Sequence, residues 1–302
     1  MKMIGGVVKQ LRKSAKLSQD KLADKLGMDA RQLRRIEDGN SSMDIWQFMT
    51  ALEVMGYSAE DFWLISLDTD EYEEYRTYRQ LKRLLRDQNY SRVREILPGF
   101  EKGVLSRQPF IRQFIARVKV KVDADISNEE AITKLYEALQ MSIPKFDEHQ
   151  ISKYRLTYNE INIISDLADK LFETGETGRA IAMNKAVIEN RKNSRTSEED
   201  RALLFPSLMS NLSTLLGKAG EYKESLKLCE EAIEICREYN NLRTVPILLN
   251  NMASCMRLLG EEEAVYKPHL IRAYHCAYAM GNFKTADIIK KDAEEDFGIV
   301  IT

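Results

Sequence analysis

The sequence predicts an all-α protein in which an N-terminal domain of five helices precedes a superhelix of repeated helix pairs. Only 14 glycines and 6 prolines occur among the 302 residues, which leaves little turn material for an all-β fold. Apolar residues recur at helical spacing from Ile4 onward. Segments that contain Gly220 and Gly260, forty residues apart, align with each other, as expected of a repeat array.

Composition restricts the class of protein. Apolar residues make up 44% and charged residues 30% of the chain, as in Lys/Glu-rich helical proteins. No apolar run approaches the ~20 residues that cross a bilayer. The N-terminal segment also lacks the apolar stretch and cleavage site of a signal peptide. We therefore expect a cytoplasmic protein without membrane contact.

Charge is distributed unevenly along the chain. Residues 1–43 contain ten Lys/Arg and five Asp/Glu, a net charge of +5, so the overall −2 leaves −7 for the remainder. A basic head on an acidic body indicates a phosphate-contacting module joined to a part that does not bind nucleic acid.

Cysteines and histidines give no indication of a metal site or of catalysis. The cysteines form neither a CxxC motif nor a Cys/His pair at metal-ligand spacing, and they lie in apolar helical stretches, so we expect buried thiols. The histidines stand alone, without nucleophile–base spacing. We expect no catalytic residue, no metal and no cofactor. These residues are Cys229, Cys236, Cys255 and Cys276, and His149, His269 and His275.

Three short helices are predicted near the N-terminus. The first begins near Ile4. Ser18 is a favourable N-cap for the second helix, which Gly27 ends, and Asp29 caps a third helix, which Gly39 ends. Two short helices joined through a glycine turn form a helix-turn-helix unit.

The third helix has one apolar and one polar side. The inward positions of the second and third helices are Leu22, Ala23, Leu26, Leu33 and Ile36. The outward positions of the third helix are Arg31, Gln32, Arg34 and Arg35. Arginine pairs with the guanine edge and glutamine with the adenine edge in the major groove, so this side is suited to DNA.

The run LSQDKLADKLGMDARQLRRIEDGNSSM resembles the helix-turn-helix of the Xre and phage-repressor family, with its SQ-x-x-LA…G…IE-x-G pattern. The resemblance covers residues 4–66 and implies a five-helix lambda-repressor-like domain that binds a double-stranded DNA operator. It also implies that Gln19 contacts phosphate or base. Arg12 and Glu37 match the family's structural ion pair, which borders the phosphate backbone.

The same resemblance assigns the groove-facing and phosphate-contacting positions. Ala30, Arg31, Gln32 and Arg35 match positions that face the major groove. Ala30 departs from the usual polar residue and offers at most an apolar contact to a thymine methyl group. Further expected phosphate contacts, which position the domain without distinguishing bases, are Lys9, Lys13, Arg34 and Asn40.

Residues 43–66 predict two more helices that complete the core of this domain. The apolar residues expected to pack there are Trp46, Met49, Leu52, Phe62, Trp63 and Ile65.

The C-terminal part contains repeats of a helix, a glycine turn and a second helix. Aligning the glycines pairs further residues: Pro206 with Pro246, Leu208 with Leu248, and Asn211 with Asn251. A final half-unit follows Gly281. Small residues at expected helix crossings are Ala180, Ser225, Ala232 and Ala286. The pattern resembles tetratricopeptide repeats, with about five helix pairs between residues 70 and 296.

In such a superhelix the first helices of the pairs line a concave groove. The polar residues expected there are Asn162, Asp166, Ser207, Asn211 and Asn251. An asparagine amide both donates and accepts, so a row of them can bind the backbone of an extended peptide. The alternative is that these side chains only bond to the neighbouring helix.

The combination of an Xre-type head and a tetratricopeptide-like body resembles the RNPP family of peptide-responsive regulators of Gram-positive bacteria. It implies a cytoplasmic homodimer that binds a signalling oligopeptide and serves quorum sensing. The expected domains are residues 1–66 for DNA binding, 67–80 as a helical linker, and 81–302 for ligand sensing and dimerisation. A basic residue on an early repeat would hold the acidic end of the peptide. The candidates are Arg117, Lys119 and Lys121, unless these form only a solvated face.

Two other functions remain open at this point. The repeat body of an Xre-type regulator could recruit a protein partner without a peptide ligand. An enzymatic role, as in helical-repeat relatives that dephosphorylate signalling proteins, has no support from the isolated histidines.

Overall fold

The computed structural model describes residues 2–56, 69–193, 198 and 200–301. Within those ranges the regular secondary structure is helical, as predicted. The chain divides into two compact units, Met1–Ile111 and Arg112–Thr302. In the part of the chain that is described, no helix is both long and apolar enough to span a membrane.

The first unit begins with four helices, and the predicted caps of the second and third are observed. The Ser18 side chain accepts from the Lys21 N–H, and Gly27 ends the next helix in the left-handed region at a φ of 63°. The Asp29 side chain accepts from the Gln32 N–H. The helices are α1 (Lys2–Ser14), α2 (Gln19–Leu26), α3 (Ala30–Glu37) and α4 (Ile45–Val54).

The core of these helices confirms most of the predicted inward positions and corrects two. The inward residues of α2 and α3 are all buried, and so is Leu52. The prediction that Trp46 and Met49 pack in the core is wrong, because they are 79% and 39% exposed. The buried side of α4 is the i, i+3, i+4, i+7 stripe Phe48, Ala51, Leu52 and Met55, and Trp46 lies on the opposite side. Phe62, Trp63 and Ile65 lie outside the described residues.

A helix pair completes the first unit: α5 (Thr69–Arg86) and α6 (Tyr90–Phe100). Helix α5 includes residues 69–80 of the segment expected to be a linker and continues to Arg86. Asn89 caps α6 by accepting from the Arg92 N–H. The Glu74 carboxylate accepts from the Val104 and Leu105 N–H groups at 2.6 Å each and ties α5 to the turn that follows α6.

The remaining helices form the predicted array of pairs, with α15 as the final half-unit. From α9 onward each first helix contacts its second helix, and the first helices α9, α11, α13 and α15 contact one another in succession. They therefore lie in one layer. The bounds are α7 (Pro109–Val122), α8 (Asn128–Gln140), α9 (Tyr158–Glu173), α10 (Thr177–Asn193), α11 (Phe205–Lys218), α12 (Tyr222–Glu238), α13 (Val245–Leu258), α14 (Glu263–Ala279) and α15 (Phe283–Phe297).

The repeat pattern read from the sequence corresponds to the turns and crossings of the array. The turn glycines have positive φ: Gly175 at 88°, Gly220 and Gly260 at 87°, and Gly281 at 71°. The small residues predicted at helix crossings, Ala180, Ser225, Ala232 and Ala286, are buried. Cys229, Cys236 and Cys255 are buried thiols, as expected, and Cys276 is half-buried.

Gly5 and Gly6, adjacent residues of α1, provide a test of how closely α1 packs on α3. A Cβ atom on Gly5 would lie 1.8 Å from the Ile36 carbonyl oxygen, whereas Gly6 has open space. We predict that Gly5→Ala lowers the free energy of unfolding by about 1–3 kcal/mol through overpacking. The matched control Gly6→Ala should raise it by about 0.5–1 kcal/mol, because alanine favours the helix. Equal effects in urea denaturation would show that α1 and α3 are not in backbone contact.

Candidate functional site

Helix α3 presents a polar face to solvent. Arg31, Gln32, Arg34 and Arg35 are exposed, and Ala30 is half-buried. Leu33 and Ile36, three residues apart, fix the opposite side of the helix in the core at 0% and 1% exposure. The helix can therefore offer guanidinium and amide groups to a DNA groove without losing its packing.

The orientation of α3 is fixed by a buried ion pair at its C-terminal end. Arg12 of α1 donates to Glu37 from Nε to Oε1 at 2.6 Å and from Nη2 to Oε2 at 2.9 Å. Its Nη1 donates to the Leu17 carbonyl oxygen at 2.8 Å. Glu37 is 3% exposed and Arg12 is 8% exposed. This is the structural pair that the family resemblance implied.

Gln19 extends this pair to α2. Its Nε2 donates to Glu37 Oε2 at 2.7 Å, and its Oε1 accepts from Arg34 Nε at 3.4 Å. Burial raises the pKa of Glu37, but the hydrogen bonds from Arg12 and Gln19 outweigh it and hold this pKa below its ordinary value. Gln19 thus has a scaffolding role that the sequence did not predict, beside its expected contact with DNA.

The residues expected to contact phosphate differ in accessibility. Lys9 is half-buried and forms an ion pair with Asp38, Nζ to Oδ1 at 2.7 Å. Lys13 and Asn40 are exposed. Contact with phosphate at Lys9 would therefore compete with Asp38, whereas Lys13 and Asn40 are accessible.

Three of the residues predicted for peptide binding lie together in the repeat array. Arg117 Nε and Lys121 Nζ of α7 donate to the two oxygens of Asp166 on α9, at 2.6 and 2.7 Å. The Arg117 side chain is 14% exposed, the Asp166 side chain 10% and the Lys121 side chain 34%. Lys119, the third basic candidate, is exposed, and helical spacing places it on the opposite side of α7 from Arg117 and Lys121.

Electrostatics keep the cluster charged. Burial raises the pKa of Asp166, but attraction by Arg117 and Lys121 outweighs it, so the pKa lies below its ordinary value. Burial lowers the pKa of Lys121, but the attraction of Asp166 is stronger, so this pKa lies above its ordinary value. Asp169, one turn further along α9, has its pKa raised to about 6, chiefly by burial. Two cations and two carboxylates therefore meet on these first helices.

The other predicted groove residues are mostly bonded within the chain. Asn251 Nδ2 donates to Ser213 Oγ at 2.8 Å and to Thr214 Oγ1 at 2.9 Å on the preceding first helix, which agrees with the alternative stated above. Asn162 donates to the Tyr158 carbonyl oxygen one turn earlier at 2.7 Å. Ser207 likewise donates to the carbonyl oxygen of the residue four positions earlier. Asn211 is exposed.

A buried polar network beside the cluster was not predicted. Gln113 Nε2 donates to Ser142 Oγ at 2.7 Å, and its Oε1 accepts from Asn159 Nδ2 at 2.8 Å. Ser142 Oγ in turn donates to Glu160 Oε1 at 2.5 Å. The network joins α7 to α9 and holds the helices that carry Arg117 and Asp166. The only indication of this network in the sequence was the presence of isolated polar residues at positions that face inward on their helices.

Family models match two segments of the chain, and solved structures match its whole fold. A helix-turn-helix family model matches residues 8–46, and a tetratricopeptide repeat model matches residues 207–242. No curated protein matches the chain.

Three solved structures are similar over nearly the entire chain. PlcR of Bacillus thuringiensis, in complex with the peptide PapR7 and DNA, is 18% identical with a TM-score of 0.71, covering 96% of this chain and 99% of that one. ComR from S. thermophilus, in complex with DNA and its signalling peptide ComS, is 17% identical with a TM-score of 0.60, covering 98% and 100%. The SHP pheromone receptor Rgg2 of Streptococcus dysgalactiae is 14% identical with a TM-score of 0.56, covering 95% and 97%.

The chain has the PlcR fold. The predicted resemblance to RNPP regulators is confirmed at the level of the fold, with a helix-turn-helix at residues 8–46. The match at residues 207–242 lies where α11 and α12 form a repeat unit.

Two adjacent carboxylates at the end of α3 test the buried pair. We predict that Glu37→Ala lowers the free energy of unfolding by about 3–5 kcal/mol, because it leaves the Arg12 guanidinium buried without its partner. The control Asp38→Ala removes only the exposed pair with Lys9 and should leave stability nearly unchanged. Chemical denaturation of both variants checks this, and similar losses would contradict the assignment.

Proposed function

We propose that this protein is a sequence-specific DNA-binding transcription regulator controlled by a signalling oligopeptide that binds along the first helices of its repeats. The observation that carries the DNA-binding part is the exposed polar face of α3, held by the buried Arg12–Glu37 pair. PlcR and ComR, which share the fold, were solved with DNA and a peptide together, and this supports the combination.

Each exposed residue of α3 has a proposed role at the operator. Arg31 and Arg35 donate to guanine edges in the major groove, and Gln32 pairs with adenine. Arg34, whose side chain is hydrogen-bonded to Gln19, contacts a DNA phosphate. Lys13 and the other residues expected to contact phosphate do the same. A homodimer would place two such helices on half-sites about one helical turn apart.

The peptide part of the proposal rests on the cluster of α7 and α9. Arg117 and Lys121 are cations that lie close together, and both donate hydrogen bonds to Asp166. An acidic group of a peptide would share or replace this contact. Asn211, exposed on α11, would then bond to the peptide backbone further along the array.

The first prediction concerns base discrimination. Arg31→Ala and Arg35→Ala should each cost about 1–3 kcal/mol of preference at particular base pairs, because each loses a paired contact to a base edge. Selection of bound sequences from random duplexes by the wild type and by each variant measures this preference. The control Lys13→Ala should weaken binding to all sequences alike. A uniform loss in the arginine variants would remove them from base recognition.

The second prediction concerns the peptide. Pools of short synthetic peptides, sorted by net charge, should include acidic members that raise the melting temperature of the wild type. Lys121→Gln and Asn211→Ala should each reduce this shift, while the control Lys119→Gln on α7 keeps it. If no pool shifts the melting temperature or changes DNA binding, recruitment of a protein partner becomes the better interpretation of the repeats.

A further inference from the structure

Helix α5 carries a row of basic residues that the helix-turn-helix does not account for. We call these residues the basic stripe: Arg76, Arg79, Lys82, Arg83 and Arg86. All of them are exposed. The remainder of the chain after residue 43 is acidic overall, so this concentration of positive charge stands out against its surroundings.

The stripe occupies one side of the helix. At 3.6 residues per turn its members fall within an arc of about 120°. Tyr78, Leu81 and Leu84 form the buried side and fix the rotation of the helix. From Arg76 to Arg86 the stripe extends about 15 Å along the axis, at 1.5 Å per residue.

Ordinary helix stabilisation explains only part of this arrangement. Basic residues in the last turn interact favourably with the helix dipole, which covers Arg83 and Arg86 but not Arg76 or Arg79. The i, i+4 pair Arg79–Arg83 places like charges together, which destabilises a helix. A merely solvated face would gain from acidic residues at these positions.

Among the described residues, ion pairs are seen at the two ends of the stripe. Arg76 bonds to Glu73 at 3.1 Å, and Arg86 bonds to Asp87 at 3.4 Å. Arg79 and Arg83, at the centre of the stripe, make no ion pair with any residue of the described ranges. Their charge is therefore available to an external anion.

We infer that the basic stripe is a second DNA-contacting surface, which binds phosphates of the duplex outside the sequence contacted by α3. The inference rests on the proposed function, since it requires a DNA-binding protein. Helix α5 belongs to the same compact unit, Met1–Ile111, as the helix-turn-helix, and this favours DNA over an acidic protein as the partner. A stripe of about 15 Å matches about four phosphates, at 3.4 Å of axial rise per nucleotide of a strand.

Contacts of this kind add affinity without adding sequence preference. Each neutralised phosphate releases counterions, so the observed association constant falls more steeply with salt as contacts are added, by about 0.9 in the logarithmic slope per contact. The stripe therefore predicts a salt dependence that exceeds what the helix-turn-helix contributes, and it should be visible on DNA of any sequence.

The test uses the full-length protein and a fluorescein-labelled duplex of mixed sequence, so the operator need not be known. Fluorescence anisotropy gives the association constant over a series of KCl concentrations. The variant Arg79→Gln/Arg83→Gln should reduce the logarithmic salt slope by about 1.8, from two lost phosphate contacts. Arg79→Lys/Arg83→Lys keeps the charge and should keep the slope.

The matched control is Lys223→Gln/Lys227→Gln on α12, which removes the same charge at the same spacing from exposed positions of the second unit. Its slope should equal that of the wild type. The inference is overturned if the Arg79→Gln/Arg83→Gln variant keeps the wild-type salt slope. It is also overturned if the α12 control loses as much slope, or if the Arg79→Lys/Arg83→Lys variant loses the wild-type slope. If the wild type itself does not bind the duplex, the proposed DNA-binding function fails as well. Binding by the wild type therefore distinguishes a failure of the inference alone from a failure of the proposed function.

Discussion

The N-terminal module depends on one buried carboxylate. Glu37 lies at the end of α3, receives two hydrogen bonds from Arg12 of α1, and receives a third from Gln19 of α2. A carboxylate placed in a core is costly unless its oxygens are fully bonded, so three helices must adopt one mutual arrangement to satisfy it. This arrangement therefore sets the direction in which the exposed arginines of α3 point. Gln19 also holds Arg34, so a contact made by either residue with DNA would be transmitted to the same carboxylate.

The repeat array uses the same principle at several points. Polar bridges join neighbouring first helices: Arg117 and Lys121 to Asp166, Asn251 to Ser213 and Thr214, and Asn250 to Asp292. Apolar packing alone tolerates small shifts between helices, whereas a buried hydrogen bond has one favourable register. A ligand that draws Arg117 and Lys121 away from Asp166 would release one of these bridges. The proposed peptide could in this way change the spacing of the helices.

What the sequence could predict was local or periodic. The N-caps Ser18 and Asp29 and the turn glycines act over a few residues, and the repeat alignment located the helix pairs of the array. The orientation of Trp46 was not predicted, because α4 also carries apolar residues outside the stripe Phe48, Ala51, Leu52 and Met55, so the stripe does not stand out from its neighbours. The convergence of Arg117 with Asp166 joins residues 49 positions apart, and nothing in local sequence specifies that contact. Arg117, Lys121 and Asp166 were each named as candidates, but their pairing with one another is a property of the packed helices.

The buried cysteines of the repeats have a consequence for how the array reacts with oxidants. Burial raises the pKa of the Cys229 thiol to about 12 and that of Cys236 to about 11. The thiolate is the form that reacts with peroxides and disulfides, and at neutral pH these side chains hold almost none of it. Their packing is therefore insulated from changes in cellular redox state. A conformational change that passes through these helices would therefore not depend on the oxidation of these two thiols.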